Sequence, residues 1–121
     1  MIILYGRPTT KKNSSRVVKC GKFTKVLPSK AYEEYEKDCL IQLLSYKYKR
    51  YEGPVHVCAR YWMPDKRSYP DLVGLMQATA DILEKAQVIV NDRDIRWWDG
   101  TGIIGFDKDR PRVEITIREA G

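Results

Sequence analysis

The chain is short of the residues that build several common sites. It has one histidine, His56, and three cysteines, Cys20, Cys39 and Cys58. A single histidine argues against a His-rich metal cluster or a Ser-His-Asp triad, and its place in an alternating apolar stretch reads as an ordinary strand position. The odd cysteine count, with no CxxC spacing, argues against a disulfide frame or a zinc knuckle. No apolar run approaches the ~20 residues of a membrane-spanning helix. The opening Ile2-Ile3-Leu4-Tyr5 is too short for a signal-peptide core. The expected location is therefore cytoplasmic, with no membrane partner. Acidic residues are missing from the start of the chain: none precedes Glu33, while Arg7, Lys11, Lys12, Arg16, Lys19, Lys22, Lys25 and Lys30 all do.

What is present suits a folded enzyme-sized domain. The 121 residues are 43% hydrophobic and 31% charged, a balance that argues against disorder and fits a single domain over 1–121. A core of that size is modest, so a homodimer is expected. The net charge is +6, from 22 Lys and Arg against 16 Asp and Glu. The basic block raises local positive potential and attracts polyanions. Lys11, Lys12 and Arg16 read as unneutralised by sequence neighbours and, given the candidate phosphodiester site further along the chain, as a DNA-binding surface; the alternative is a solvated surface.

Periodicity sets the architecture. Residues 2–5 read as a buried strand ended by Gly6 and Pro8. Residues 17–18 and 23–26 pair as a small hairpin around Cys20-Gly21. Ser29 is an N-cap, and Tyr32, Tyr35, Cys39, Leu40, Leu43 and Leu44 follow helical spacing on a core face, with the helix running to about Lys49. Residues 55–62 alternate as a strand, with Val55, Val57, Ala59 and Tyr61 on one face. A charged loop over 63–70 leads to a second helix from about Asp71, whose core stripe is Leu72, Leu75, Met76, Thr79, Ile82, Leu83 and Ala86. Asn91-Asp92 signals a turn, residues 94–98 a strand ending at Asp99-Gly100, and residues 100–111 a loop. Residues 112–118 alternate as a last strand. The order implies an α+β fold, a small mixed sheet packed against two helices.

Asp71 opens a helix after a charged loop, and Asp92 sits in the turn that follows it. Phosphodiester hydrolysis needs an activated water and a sink for charge developing on phosphate oxygens. Mg²⁺ supplies both and needs few protein ligands, all hard oxygens. On spacing alone the same residues read equally well as a helix cap and a common turn.

The sequence from Met63-Pro64-Asp65-Lys66-Arg67 to Asp71-Leu72, then Leu75, Asp81, Leu83 and Asn91-Asp92, resembles the RusA family of Holliday junction resolvases. Segment 8–13, Pro-Thr-Thr-Lys-Lys-Asn, is similar to that family's N-terminal P-x-S-x-N region, and Arg112 to Arg118 to its last strand. The resemblance implies a dimeric α+β fold, Mg²⁺ dependence with Mn²⁺ as a substitute, and cleavage of four-way DNA junctions in recombination or repair, often in phage settings. It gives Asp71 and Asp92 the catalytic and metal-binding roles, with Asn91 as an assisting ligand through its carbonyl oxygen. Lys66 and Arg67 join the basic segment as DNA contacts.

The match has gaps. The helix-start motif's second aspartate falls on Val73, its asparagine on Gly74 and its lysine on Gln77. The turn's first aspartate falls on Asn91. Two readings follow. In one, the site is rebuilt: Asp71, Gly74, Gln77 or Ala78, and Asp81 share a helix face opposite the core, and Asp81 and Asp99 are possible replacement ligands. Ten helical residues separate Asp71 from Asp81 by about 15 Å, which works against shared coordination of one ion. Both acids also read simply, Asp81 as a partner-bonded helix residue and Asp99 as the start of an Asp-Gly turn. In the other reading, the chain binds junctions without cutting. Of the adjacent Trp97 and Trp98, strand geometry sends one to the core and leaves the other for an interface or DNA. Arg93 and Arg96 flank the candidate site.

Overall fold

The computed structural model describes residues 1–11, 21 and 29–121, together with the backbone of strands at 16–20 and 23–27. The hydrophobic alternation at 55–63 organises the molecule. Strand β4 (Val55–Met63) buries Val55, Val57, Ala59, Tyr61 and Met63 on one face, whereas His56, Cys58 and Trp62 on the other are half-buried and Arg60 is exposed. Its antiparallel neighbour β7 (Arg112–Glu119) pairs along nearly all of it, from Val55↔Glu119 to Trp62↔Arg112. Beyond β7 lies β1 (Ile2–Tyr5), also antiparallel. The far edge of β4 carries two short parallel strands in succession, β5 (Ile95–Trp97) and β6 (Gly102–Phe106). Where the chain leaves that edge between them, the Ala59 amide donates to the Thr101 hydroxyl at 3.0 Å, and Gly100 makes the turn at φ +73°. The hairpin of β2 (Arg16–Cys20) and β3 (Phe23–Leu27) forms a separate two-stranded sheet.

Helices α1 (Lys30–Leu43) and α2 (Leu72–Lys85) supply the rest of the core. Ser29 caps α1, accepting from the Tyr32 amide at 3.1 Å. Tyr32, Tyr35, Cys39 and Leu43 are its buried residues. Tyr61 fixes α2 to the sheet: its hydroxyl donates to the Leu75 carbonyl at 3.1 Å and meets the Thr79 hydroxyl at 2.6 Å, both inside the core. Each fully buried Leu or Ile in this layer contributes about 1.5–3 kcal/mol of transfer free energy.

Three expectations are corrected. Helix α1 stops at Leu43, not near Lys49, and Leu44 is 84% exposed. The amides of Leu44, Ser45 and Tyr46 turn back to carbonyls three residues earlier, which tightens the last turn. The tyrosines that follow then act outside a helix. The Tyr48 hydroxyl donates to the Ala86 carbonyl at 2.8 Å, and Tyr51 bridges to Ile89. The Tyr46 hydroxyl exchanges hydrogen bonds with the Ile3 amide and carbonyl, and the Gln42 amide group does the same for Tyr5, all at 2.8–3.0 Å. Those four bonds cover the edge of β1 that β7 leaves open. The second correction is β6, read from the sequence as loop. Its two glycines lower strand propensity, and pairing to β4 overrides them. The third concerns α2: Gly74 and Ala78 are buried instead of lying on an open face, Gly74 under Thr10 and Ala78 in the hydrophobic core.

Candidate active site

A cleft of about 520 Å³ opens along α2. Its floor is the helix itself, with Val73 and Gln77 one turn apart along its middle. On one side stands the segment that follows β1. Thr10 is buried against Gly74, where an added Cβ would come within 3.1 Å of Thr10 Cγ2. The Thr10 hydroxyl has no hydrogen-bond partner among the described residues. Next to it Lys11 reaches Asp81, Nζ to Oδ2 3.0 Å, and lies 5.6 Å from the centre of the Tyr32 ring. Asp92, Arg93 and the half-buried Trp98 complete the lining.

The turn bearing Asp92 is held from both ends. Asn91 accepts the Arg93 amide at 3.0 Å through Oδ1 and so caps the 3-10 turn at Asp92–Asp94. The Asp92 amide donates to Glu84 Oε1 at 2.9 Å, which ties the turn to α2 and leaves the Asp92 carboxylate exposed. Glu84 is a positioning residue that the sequence did not reveal, since the contact depends on the turn folding back over the helix. Asp71 caps α2. Its Oδ2 accepts the Gly74 amide at 3.3 Å, and its carbonyl accepts the Leu75 amide at 3.2 Å. It caps the helix just ahead of Val73 and is not itself among the residues lining the cleft.

Lys11, unneutralised by its sequence neighbours, finds a counter-charge through the fold. Its acid lies seventy residues away in sequence and touches it in the fold. Asp81 also receives Lys85 at 3.4 Å, and Lys85 makes a two-pronged contact to Glu36 at 2.9 and 3.0 Å. Burial pushes the Asp81 carboxyl up, but the two ammonium groups outweigh it and hold it below the usual carboxylate range. The contact with Glu36, opposed by burial and aided by Asp81, raises the Lys85 ammonium above its ordinary value.

The remaining candidates are dispersed. Asp99 lies off the cleft, 2.6 Å from His56 Nδ1 and 3.1 Å from Arg118, with the imidazole stacked on Trp97. Lys66 and Arg67 are exposed on the loop leading to Asp71, Lys66 lying 5.9 Å from the Phe106 ring centre. The side chains of Lys12 and Arg16 fall outside the described residues. Trp98, just past the end of β5, packs against the core and lines the cleft, while Trp97 is 41% exposed.

The model of the endodeoxyribonuclease RusA family matches residues 6–118. The chain belongs to the RusA family. RusA proteins are endonucleases that act on branched DNA, Holliday junctions included, and the mixed five-stranded sheet with two helices agrees with that fold. The curated proteins offer no match. No helix among the described residues is long and apolar enough to cross a membrane. Within the RusA frame, few candidate metal donors stand at the cleft: Asp92 lines it and Asp71 caps the helix beside it. Asp71 and Asp92 are exposed carboxylates, Asn91 spends one lone pair of its Oδ1 on the turn, and Val73 is 58% exposed without any donor atom. No group of three or more His, Cys, Asp or Glu suited to a metal assembles among the described residues. Mg²⁺ keeps several waters and is commonly held by one or two carboxylates.

Proposed function

We propose that this chain is a divalent-metal-dependent endonuclease that hydrolyses phosphodiesters in branched DNA, four-way junctions above all, in the cleft along α2. The observation that carries the reading is the meeting of Asp92, Arg93, Lys11 and Trp98 over a helix capped by Asp71, in a chain of the RusA family. Asp71 and Asp92 would hold Mg²⁺ or Mn²⁺, with Asn91 assisting through the second lone pair of the Oδ1 that caps the turn. The ion would supply an acidified water and neutralise charge on the phosphate. Glu84 holds the Asp92 backbone in place. Arg93 binds phosphate oxygens in the cleft, and Lys11, Lys12, Arg16, Lys66 and Arg67 contribute contacts to the DNA backbone. Trp98 gives the cleft an apolar surface against sugar or base. Symmetric resolution of a four-way junction needs two cuts, so the working unit is a homodimer. Its setting is cytoplasmic DNA recombination or repair, including that of phage.

A second reading is favoured by the middle of the cleft floor, where Val73 and Gln77 bring neither ligand nor charge. In it the chain binds junctions and does not cut. Synthetic four-way junctions, with linear duplex as control, are incubated with Mg²⁺ or Mn²⁺. Metal-dependent cleavage of the junction supports the enzyme; tight junction binding with no cleavage in either metal overturns it in favour of the binding module.

A further inference from the structure

The early basic segment reads as a solvated arm, yet at Lys11 it is docked. Thr10 is buried against the bare backbone of Gly74, so the residue next to it leaves the protein surface from a fixed point. Lys11 then lies across the cleft wall with its ammonium on Asp81. Its side chain is 46% exposed. An ammonium carries three donors; Asp81 engages one side of it and leaves the rest for a ligand. Asp81 cannot turn elsewhere without releasing two lysines, Lys11 and Lys85. Gln77, one helical turn before Asp81 on the same floor, is uncharged. Among the described residues the cleft lining holds two cations, Arg93 beside Asp92 and Lys11 on Asp81.

We infer that Lys11, held by Asp81, is a phosphate-binding residue of this cleft, and that Asp81 serves it as a positioning residue instead of binding metal. The inference rests on the proposed function for the identity of the ligand, a DNA phosphate. Lys11 lost from the wall leaves Arg93 alone to meet the backbone. Asp81 lost leaves the charge in place but lets the long side chain wander, which spoils the alignment of the phosphate more than its attraction.

The test is junction binding measured over a range of salt, paired with cleavage. Lys11→Gln should flatten the plot of log affinity against log salt by about one phosphate's worth, a slope change of roughly 0.9. Lys11→Arg should keep the wild-type slope, which guards against a misfolded glutamine variant. Asp81→Asn should keep the slope and lower the cleavage rate at saturating protein about tenfold, splitting rate from binding. Adding Gln77→Lys to Lys11→Gln should restore both slope and rate, because a lysine one turn from Asp81 reaches the same wall. An unchanged slope in well-folded Lys11→Gln overturns the phosphate role. Wild-type cleavage in Asp81→Asn overturns the positioning role, and a complete loss of metal binding in that variant, read by calorimetry with Mn²⁺ alone, would return Asp81 to the ligand set. If the wild-type chain never cuts, the proposed function fails while the slopes and the Mn²⁺ titration still decide Lys11 and Asp81.

Discussion

Asp71→Asn and Asp71→Ala probe two roles of one side chain through two different readouts. As a cap, Asp71 accepts the Gly74 amide at 3.3 Å, a long bond, from an extended backbone at φ −70° and ψ 150°. Asn is as good an N-cap as Asp, whereas Ala costs about 0.5–2 kcal/mol. The bond length puts this case near the low end. Loss of the anion from an exposed helix N-terminus adds roughly 0.3–1 kcal/mol to both variants. At this chain length 1 kcal/mol moves Tm by about 3–5 °C. Asp71→Ala should therefore melt about 3–8 °C below wild type and Asp71→Asn about 1–4 °C below. Neither change approaches the ~5–15 kcal/mol that holds a domain folded, so both variants are native at 25 °C. Cleavage should rank them differently. Both lack the carboxylate, so both should lose at least about 100-fold in rate, equivalent to ~2.7 kcal/mol of transition-state stabilisation. Junction affinity should hold or rise, since a negative charge has left a phosphate-binding surface. Scanning calorimetry and single-turnover cleavage with Mg²⁺ check the two roles. Wild-type cleavage by Asp71→Asn would remove Asp71 from the catalytic set, and equal melting of the two variants would remove its capping role.

Val73→Asp with Gln77→Lys places an acid and a cation on the empty floor of the cleft and should raise the cleavage rate at least tenfold; a fall would mean that the site works through other residues. Tyr61→Phe removes two hydrogen bonds inside the core, though Thr79 can turn to the Leu75 carbonyl, so the expected loss is about 1–2 kcal/mol in urea unfolding, with the slope against denaturant unchanged. Burial pushes the Cys39 thiol up to about 11, with the contact to Tyr35 opposing and Asp38 and Glu36 adding to the rise. A raised acid favours the folded state below its unfolded pKa, so this contribution is complete at neutral pH and fades as pH climbs from the ordinary thiol range toward 11. A maleimide reagent at pH 8 should accordingly modify Cys58 well before Cys39, and equal rates would contradict the burial.

Much of the fold is legible in the sequence because each element carries its own period. The alternation at 55–62, the stripe from Leu72 to Ala86 and the cap at Ser29 are local patterns with local causes. Strand β6 is not legible: Gly102 and Gly105 hide a segment whose strand character comes from its partner. The end of α1 is hidden too, since Leu44 keeps helical spacing after the chain has begun turning Tyr46 toward β1. The same division runs through the site. Asp71 and Asp92 stand out by residue type and place. The pairing of Lys11 with Asp81, and the grip of Glu84 on the Asp92 backbone, join residues that only the tertiary fold brings within reach. A basic run can be counted in a sequence, but whether one of its members is already engaged by an acid cannot.

Gln42 and Tyr46 have a consequence for self-association. A strand edge with free amides and carbonyls invites another strand, and proteins keep such edges short, charged or covered. Here Gln42 in the last turn of α1 and Tyr46 just beyond it occupy the outward amides and carbonyls of Tyr5 and Ile3, as a neighbouring strand would. The β1 border is thereby closed to sheet extension between copies. A pair of these molecules has to meet through side chains or at another border, and a variant such as Gln42→Ala would expose a template for stacking that the native chain keeps shut.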